Sequence, residues 1–272
     1  MRSIQYKKYK KLKELETYKK ECLLNILRLY KKANAGHIAS SLSCLDILFF
    51  LYFKQMLDND HFILSKGHAA LGLYVVLAAK GKISSDELET FYQDGTLLAA
   101  HPPCSGKLNG VVFGTGSLGH GLSLATGIAL STRYTGKNDK VYCLISDGDC
   151  NEGSTWEAAL FSGHHKLNNL ITIIDNNGLQ GFGSTKDVIE MAPLKTKWES
   201  FNFDVYIAEN GNDLDCLQKV FKSIEFDNPK PKCIIAKTIK GNGVSFMENK
   251  MEWHYLPMSD DQYFKALQGK IT

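Results

Sequence analysis

Two polar residues follow strand-like segments in the middle of the chain. Asp147 comes directly after the apolar run 141–146, and Asn177 comes just after a second apolar run, 170–175. A helix-like segment, about 155–166, separates the runs, which predicts a βαβ unit with parallel strands buried on both faces. Both polar residues would then lie at the carboxyl edge of the sheet, where open α/β folds bind their ligands.

The chemistry at this edge suits a divalent cation together with an anion. A carboxylate and an amide oxygen are hard ligands of the kind that Mg²⁺ or Ca²⁺ prefers, and such a cation completes its shell with phosphate oxygens and water. Gly148 has no Cβ, so a phosphate would be able to approach its N–H group closely. The helix that begins near Ser154 adds the positive end of its dipole.

Two other interpretations compete with a cation site. Asp-Gly and Asn-Asn-Gly are common turn sequences after a strand. An EF-hand loop also alternates acidic residues, but Glu152 stands where that loop needs its sharp-turn glycine, and Ala158 stands where it needs its bidentate glutamate. The pairing of Asp147 with Asn177, each after a strand, favours the cation site.

Four histidines form a second set of candidates: His37 and His68, which each follow a glycine, His101, which precedes a proline, and His254, which follows a tryptophan. A histidine at such a junction is often only a cap or a packed ring, although its unperturbed pKa near neutrality also suits it to proton transfer. The other histidines, at 61, 120, 164 and 165, have a more structural setting, and of these only His120 lies in a glycine cluster.

That glycine cluster occupies positions 110, 114, 116, 119 and 121. Its G-x-G-x-x-G pattern matches the dinucleotide-binding fingerprint, but no clear long strand precedes it, as that fingerprint requires. Glycines that let the backbone reach a flat cofactor are the better interpretation.

Composition limits the function classes. The chain has 272 residues and a net charge of +3, which is too small to indicate nucleic acid binding. Seven scattered cysteines form no C-x-x-C pair, so we expect no disulfide framework, no zinc site and a reducing, cytoplasmic location. No apolar stretch of about 18 residues is evident to indicate a membrane span, and the N-terminus lacks the apolar region of a signal peptide.

The remaining pattern predicts one α/β domain over residues 1–272, with a doubly wound, mostly parallel sheet flanked by helices. A helical N-terminal extension, 5–32, is amphipathic, and its lysines are interpreted as a solvated face rather than an arm for nucleic acid. Further helices are predicted over 44–53, from about His68 to Gly81, and over 193–200 and 213–224. Further strands are predicted over 62–64, 204–209 and 233–238, and the segment 240–257 is expected to be irregular.

Seven short motifs along nearly the whole chain resemble one enzyme family. NAGH, LSKGHAALGLY, AAHP, TGSLGHGLS, SDGDCNEG, IDNNGLQ and KGNGVSFMENKMEWH occur in the order found in transketolases. The chain resembles the N-terminal, thiamine diphosphate-binding half of that family, and most of all the members in which this half is a separate subunit. The resemblance implies the thiamine diphosphate-binding fold, although Ser146 replaces the first glycine of the usual GDG motif.

The resemblance implies a role for each matching residue. The divalent cation, Mg²⁺ or Ca²⁺, would be held by Asp147, Asn177 and the carbonyl oxygen of Leu179. Contacts with thiamine diphosphate would come from His68, Gly116, Leu118, Asp147, Gly148, Asp149, Glu152, Asn177 and His254. The reacting carbon atoms would face three catalytic residues, His37, His101 and His254. Three positions depart from the family pattern: Ala39 and Tyr255 replace glycines, and Gly181 replaces a bulkier apolar residue that usually touches the thiazolium ring.

The resemblance also implies an activity that needs a partner. The expected reaction transfers a two-carbon ketol unit from a ketose phosphate to an aldose phosphate. The pyrimidine-binding domain of the family has no counterpart in this sequence, so we expect a C-terminal transketolase-type subunit, in a heterotetramer with two copies of each chain. Two alternatives are open: the α subunit of a 2-oxo acid decarboxylase or dehydrogenase, and a non-catalytic subunit that binds diphosphate. No nucleic acid or membrane partner is expected.

Overall fold

The computed structural model describes residues 12–104 and 106–269. Its centre is a sheet of five strands: β1 (His61–Leu64), β2 (Val141–Ser146), β3 (Leu170–Asn176), β4 (Asp204–Ala208) and β5 (Lys232–Lys237). The strand order is β1-β2-β3-β5-β4, and every neighbouring pair is parallel. The predicted doubly wound α/β fold with a mostly parallel sheet is therefore confirmed.

Ten α-helices lie around this sheet in the described part of the chain: α1 (Leu12–Ala33), α2 (Ile38–Phe50), α3 (Ala70–Ala79), α4 (Ser85–Leu88), α5 (His120–Tyr134), α6 (Gly153–His164), α7 (Thr185–Val188), α8 (Leu194–Ser200), α9 (Leu214–Lys222) and α10 (Asp260–Gln268). Short 3₁₀ turns occupy Gly67–Ala69, Gly148–Asn151 and Met251–His254. The predicted helix 5–32 corresponds to α1, and its residues 5–11 lie outside the described part.

The central strands β2 and β3 are buried on both faces, as a parallel sheet covered by helices requires. Along β2, the even-numbered Tyr142 and Leu144 belong to one hydrophobic core, and the odd-numbered Cys143 and Ile145 belong to the other. Strand β3 alternates between the two cores in the same way. Because side chains on a strand point alternately to opposite faces, these continuous apolar runs fit only a sheet covered on both sides.

The predicted βαβ unit is present as β2-α6-β3. Its two strands pair in register from Val141 with Leu170 to Ser146 with Asp175. Both strands therefore end at the same level, which places Asp147 and Asn177 side by side at the carboxyl edge.

Helix α2 differs from its prediction in two ways. It begins at Ile38 rather than at position 44, because three small serines within it are buried as helix residues instead of forming a loop. It then continues through a wider π turn, Leu51–Gln55. The 18-residue window Ile38–Gln55 is thus long and apolar enough to span a membrane, contrary to the prediction, and 83% of it is buried inside the protein. A helix buried in the core of a protein can have the same length and apolar composition.

Four helices, α4, α5, α7 and α10, were not predicted from the sequence. Helix α5 begins within the glycine cluster, and α10 follows the segment that was expected to be irregular. A serine N-cap explains α10: the Ser259 side chain accepts from the Gln262 N–H group, and the Gln262 side chain accepts from the Ser259 N–H group.

Candidate active site

A pocket opens at the carboxyl edge of the sheet and gathers most of the predicted residues. Its lining includes His37, His68, His101, Gly116, Leu118, Asp147, Gly148, Asn177, Leu179 and His254. The histidines expected to be structural, at 61, 120, 164 and 165, do not line it. The lining also includes residues that were not predicted as site residues: Ser40, Lys66, Ser146, Gln180, Gly181, Phe182, Lys240 and Tyr255.

Asp147 is the only carboxylate among the described lining residues. Its side chain is buried and accepts hydrogen bonds from the Gly148 and Gly178 N–H groups, at 2.9 and 2.8 Å. Burial, followed by repulsion from Asp175, raises the pKa of this carboxyl group to about 7. A buried carboxylate of this kind suits a site whose occupant is a cation.

A buried network orients Asn177. Its amide nitrogen donates a 3.1 Å hydrogen bond to the Ser43 hydroxyl and lies 3.5 Å from an Asp175 carboxylate oxygen. Asp175 is also paired with the Lys66 ammonium group and accepts from the hydroxyl groups of Ser43 and Thr238. Because these acceptors hold the amide nitrogen, the amide oxygen is the possible cation ligand; it accepts a hydrogen bond from the Leu179 N–H group and keeps one lone pair.

Two buried lysines and a serine make the pocket floor cationic and polar. Burial opposes the charge of Lys66, but Asp175 more than compensates, so the pKa of Lys66 is raised. Burial and the nearby Lys66 lower the pKa of Lys240 to about 8. The buried Ser40 hydroxyl has no hydrogen-bond partner in the described part of the chain. Lys66 belongs to the motif LSKGHAALGLY and Lys240 opens the motif KGNGVSFMENKMEWH, but neither lysine was predicted as a site residue.

Leu179 meets one of these lysines. Its carbonyl oxygen accepts a 3.1 Å hydrogen bond from the Lys240 ammonium group, and its N–H group donates to the Asn177 amide oxygen at 3.1 Å. A carbonyl oxygen has two lone pairs, so one remains for a cation.

The four predicted histidines form one cluster in the lining of the pocket. The His37 ring lies 5.6 Å from that of His68, 6.1 Å from that of His101 and 5.2 Å from that of His254, measured between centroids. His37 has the left-handed backbone conformation, with φ 72°, at the start of α2. The fold therefore brings together residues that are more than 200 positions apart in the chain.

All four imidazoles favour the neutral form. Burial lowers the pKa of each: that of His68 falls well below its ordinary value, and that of His254, which is also near Lys240, falls to about 3. His254 Nδ1 lies 2.7 Å from the Lys240 ammonium group, which has only protons to donate. We therefore assign the proton of His254 to Nε2, which makes this nitrogen a hydrogen-bond donor.

Asp149 and Glu152, which were predicted to contact the cofactor, lie outside the pocket lining. The Asp149 carboxylate is fully buried and accepts four hydrogen bonds, from the Ser65 hydroxyl, the Gly119 N–H group, and the N–H and hydroxyl groups of Ser146. It thereby ties together the ends of β1 and β2 and the start of α5. Glu152 is exposed, and neither residue lines the pocket.

The glycine cluster divides in a similar way. Gly116 lines the pocket and packs against the His101 ring, which a Cβ atom at position 116 would approach to 3.1 Å. Gly121 instead lets α5 approach the end of β1, because a side chain there would overlap Ser65. Only part of the cluster therefore serves the pocket.

The residues present fit thiamine diphosphate with a divalent cation. Lys66, Lys240 and the unpartnered Ser40 hydroxyl suit a diphosphate, and Asp147 with the Asn177 amide oxygen suits Mg²⁺. Among residues 12–104 and 106–269, no group of three or more histidine, cysteine, aspartate or glutamate side chains forms a metal site. That result is compatible with a cation held by one carboxylate, one amide, one carbonyl and the diphosphate itself.

Comparison with known proteins identifies the family. Residues 23–270 match the family model described as "Transketolase, thiamine diphosphate binding domain". The chain is 41% identical to one subunit of the apulose-4-phosphate transketolase of Actinobacillus succinogenes, over 94% of this chain and 95% of that protein. It is 34% identical to a 6-deoxy-6-sulfo-D-fructose transketolase subunit of Clostridium sp., over 87% of this chain and 88% of that protein.

Solved structures agree with this family. The transketolase of Campylobacter jejuni superposes with a TM-score of 0.87 at 29% identity, over 94% of this chain and 42% of that chain. The present chain thus spans about two fifths of that transketolase, whereas it spans nearly all of each subunit relative. The chain belongs to the transketolase thiamine diphosphate-binding domain family.

Proposed function

We propose that this chain binds thiamine diphosphate through Mg²⁺ and, with a partner subunit, transfers a two-carbon ketol unit between sugar phosphates. The observation that carries the proposal is the pocket itself, which is lined both by Asp147 and Asn177 and by four neutral histidines. In this proposal Asp147, Asn177 and the Leu179 carbonyl hold the cation, which Ca²⁺ would also fit. Ser40, Lys66, His68 and Lys240 bind the diphosphate.

Bound thiamine diphosphate supplies the carbon centre that carries the two-carbon unit. The chain's own residues bind, orient and move protons around it. In this proposal Gly116 and Leu118, which line the pocket, contact the flat part of the cofactor. His37 and His101 are neutral near pH 7, so each is able to accept a proton from a sugar hydroxyl and return it. The Nε2–H group of His254 is a hydrogen-bond donor toward the sugar or the diphosphate.

The histidine cluster supports ketol transfer over oxidation of a 2-oxo acid. A ketol transfer takes a proton from the donor hydroxyl as the carbon–carbon bond breaks and returns one to the acceptor aldehyde. Loss of CO₂ from an oxo acid needs little proton movement on the donor. The four clustered imidazoles in the pocket lining therefore favour ketol transfer.

The partner is proposed to be a C-terminal transketolase-type subunit, in a heterotetramer with two copies of each chain. The two subunit relatives described above are named as subunits. Activation of thiamine diphosphate needs a carboxylate on its pyrimidine ring, and the described pocket has only Asp147, which this proposal uses for the cation. Phe182, 86% exposed, and Leu256, 51% exposed, add apolar surface at or near the pocket that a partner would cover.

The sugars themselves remain a proposal at the level of class. The two subunit relatives are named for different sugars, apulose 4-phosphate and 6-deoxy-6-sulfo-D-fructose, so no single sugar carries over. We propose phosphorylated ketoses and aldoses. A cytoplasmic location is proposed because all seven cysteines are free thiols.

An activity assay with the partner subunit tests the proposal. The co-purified subunits receive fructose 6-phosphate with an aldose phosphate, or pyruvate with an electron acceptor, and each subunit is also assayed alone. We expect ketose turnover that requires both subunits, thiamine diphosphate and Mg²⁺. Pyruvate turnover without ketose turnover would support the oxo acid alternative, and ketose turnover by this chain alone would refute the need for a partner.

A further inference from the structure

Tyr255 brings a phenol to the histidine cluster in the pocket. Its ring centroid lies 4.6 Å from that of His254 and 6.0 Å from that of His37, and all three residues line the pocket. The side chain is 55% exposed, which places it at the pocket mouth. Within the described residues, its hydroxyl has no hydrogen-bond partner. A polar atom is therefore available to a ligand that enters the pocket.

The backbone beneath this phenol is anchored against the turn that precedes α2. Any side chain at Gly36 would overlap the Tyr255 carbonyl group, so the two backbones are in direct contact. The His37 N–H group donates a 3.0 Å hydrogen bond to the His254 carbonyl, and the Tyr255 N–H group donates a 3.1 Å hydrogen bond to the Glu252 carbonyl. Tyr255 thus projects from a fixed segment.

Gly181 provides the space into which the phenol projects. A Cβ atom at this position would overlap the Tyr255 hydroxyl and would lie 3.5 Å from His254 Nε2. The phenol therefore fills the volume that a side chain at 181 would fill. The hydroxyl and the His254 donor flank the same point.

We propose that Tyr255 is a specificity-determining residue that selects the sugar by length and by a hydrogen bond. This inference rests on the ketol transfer proposed above. The phenol lies beside His37 and His254, which would face the reacting carbon atoms, so its hydroxyl reaches a hydroxyl group of the bound sugar. Its ring narrows the mouth through which the rest of a longer aldose phosphate would extend. Short acceptors are therefore favoured over long ones.

Two substitutions separate the hydrogen bond from the volume. Tyr255→Phe and Tyr255→Gly are compared with the native chain, each co-purified with the partner subunit, using fructose 6-phosphate as donor. The acceptors are glyceraldehyde 3-phosphate and ribose 5-phosphate. We expect Tyr255→Phe to lower kcat/KM about tenfold for both acceptors. Tyr255→Gly should raise the ratio of kcat/KM for the five-carbon acceptor over the three-carbon one about tenfold. An unchanged ratio would overturn the proposal.

Calorimetry on this chain alone distinguishes a sugar contact from a cofactor contact. Tyr255→Phe should leave the affinity for thiamine diphosphate with Mg²⁺ within threefold of the native value. A loss of cofactor affinity as large as the loss of kcat/KM would assign the phenol to the cofactor and refute the proposal. Absence of any ketol transfer by the native complex would instead refute the proposed function.

A variant at Gly181 tests whether the two positions act together. Gly181→Ala should displace the phenol and shift the acceptor ratio in the same direction as Tyr255→Gly. In a Tyr255→Gly background, Gly181→Ala should change the ratio less than twofold, because no phenol remains to be displaced. Equal changes of the acceptor ratio in both backgrounds would contradict the inference that the phenol fills the space beside Gly181. Tyr134→Phe, which alters an 81% exposed tyrosine at the end of α5, is the matched control.

Discussion

Two groups of residues in the pocket lining are built in different ways: the cation ligands, here called the cation end, and the four histidines, here called the histidine end. The cation end takes Asp147 and Asn177 from one βαβ unit, and a buried network of Lys66, Asp175 and Ser43 fixes the asparagine amide. The histidine end takes its rings from four separate segments. In the described part of the chain, only the His254 ring among them has a side-chain hydrogen bond.

This difference matches what each end has to bind. A cation with a small, fixed set of ligands requires oxygens that are held before it arrives. A sugar that loses and gains protons requires side chains that keep a free nitrogen. A network that satisfied every imidazole would hold the rings firmly but would leave nothing to accept a proton. Preorganisation is therefore concentrated at the cation end.

The largest expected effect is at the cation end. Asp147→Ala should remove Mg²⁺-dependent thiamine diphosphate binding, with a loss of well over about 100-fold, because even outer partners of metal ligands cost about 10- to 100-fold. The carboxylate faces the pocket, so the fold should persist. Isothermal calorimetry on the isolated chain measures the effect, with the exposed Asp215→Ala as control. Native affinity in Asp147→Ala would disprove the cation assignment.

At the histidine end, the main loss should be in turnover rather than in binding. His37→Ala and His101→Ala should each lower kcat of the assembled enzyme by about 100-fold, which is the range of general acid–base catalysis. Both should leave cofactor affinity within threefold. His68→Ala and His254→Ala, whose rings stack at 5.3 Å, should weaken cofactor binding as well. His120→Ala, which alters an exposed histidine, is the control. Equal losses of cofactor binding in all four variants would contradict the difference between the cation end and the histidine end.

The supporting network offers a way to separate stability from site geometry. Asp175→Asn leaves the buried Lys66 ammonium without its partner and should lower the free energy of unfolding by about 3–5 kcal/mol. The double variant Lys66→Met with Asp175→Leu should recover much of that stability but not the affinity for Mg²⁺, because Asn177 loses an acceptor. Urea unfolding and calorimetry measure the two quantities. Recovery of both would show that the network does not position Asn177.

The same contrast explains what the sequence was able to predict. The bounds of the βαβ unit were predicted to within two residues, because its strands and helix are adjacent in the chain and each has its own pattern of apolar residues. Helix α5 was not predicted because the glycines near its start were interpreted as backbone that reaches a flat cofactor. Gly121 instead lies within the helix, where the absence of a side chain lets the helix pack against Ser65. Asp149 was assigned to the cofactor because it lies within the motif, although its burial against Ser65 is a tertiary fact with no local signal.

The smallest expected effect concerns pH and separates His254 from the carboxylates. The pKa of His254 is about 3 in the folded chain, against about 6.5 in the unfolded chain. Between these two values the unfolded state binds a proton on this ring and the folded state does not, so a fall in pH below about 6.5 favours the unfolded state. The contribution of this ring to stability is present above pH 6.5 and is lost as pH falls toward 3. The raised pKa of Asp147, about 7, has the opposite sign, because the folded state takes up a proton first as pH falls.

A difference between variants therefore isolates the histidine. His254→Gln should lose less unfolding free energy than the native chain between pH 7 and pH 5, by about 1 kcal/mol, which is about half of the full linkage value because His254 is partly accessible to solvent. Urea unfolding at both pH values measures it, with the exposed His164→Gln as control. If His254→Gln and the native chain lost the same stability, the imidazole would titrate alike in both states, and burial at the histidine end would not keep the ring neutral.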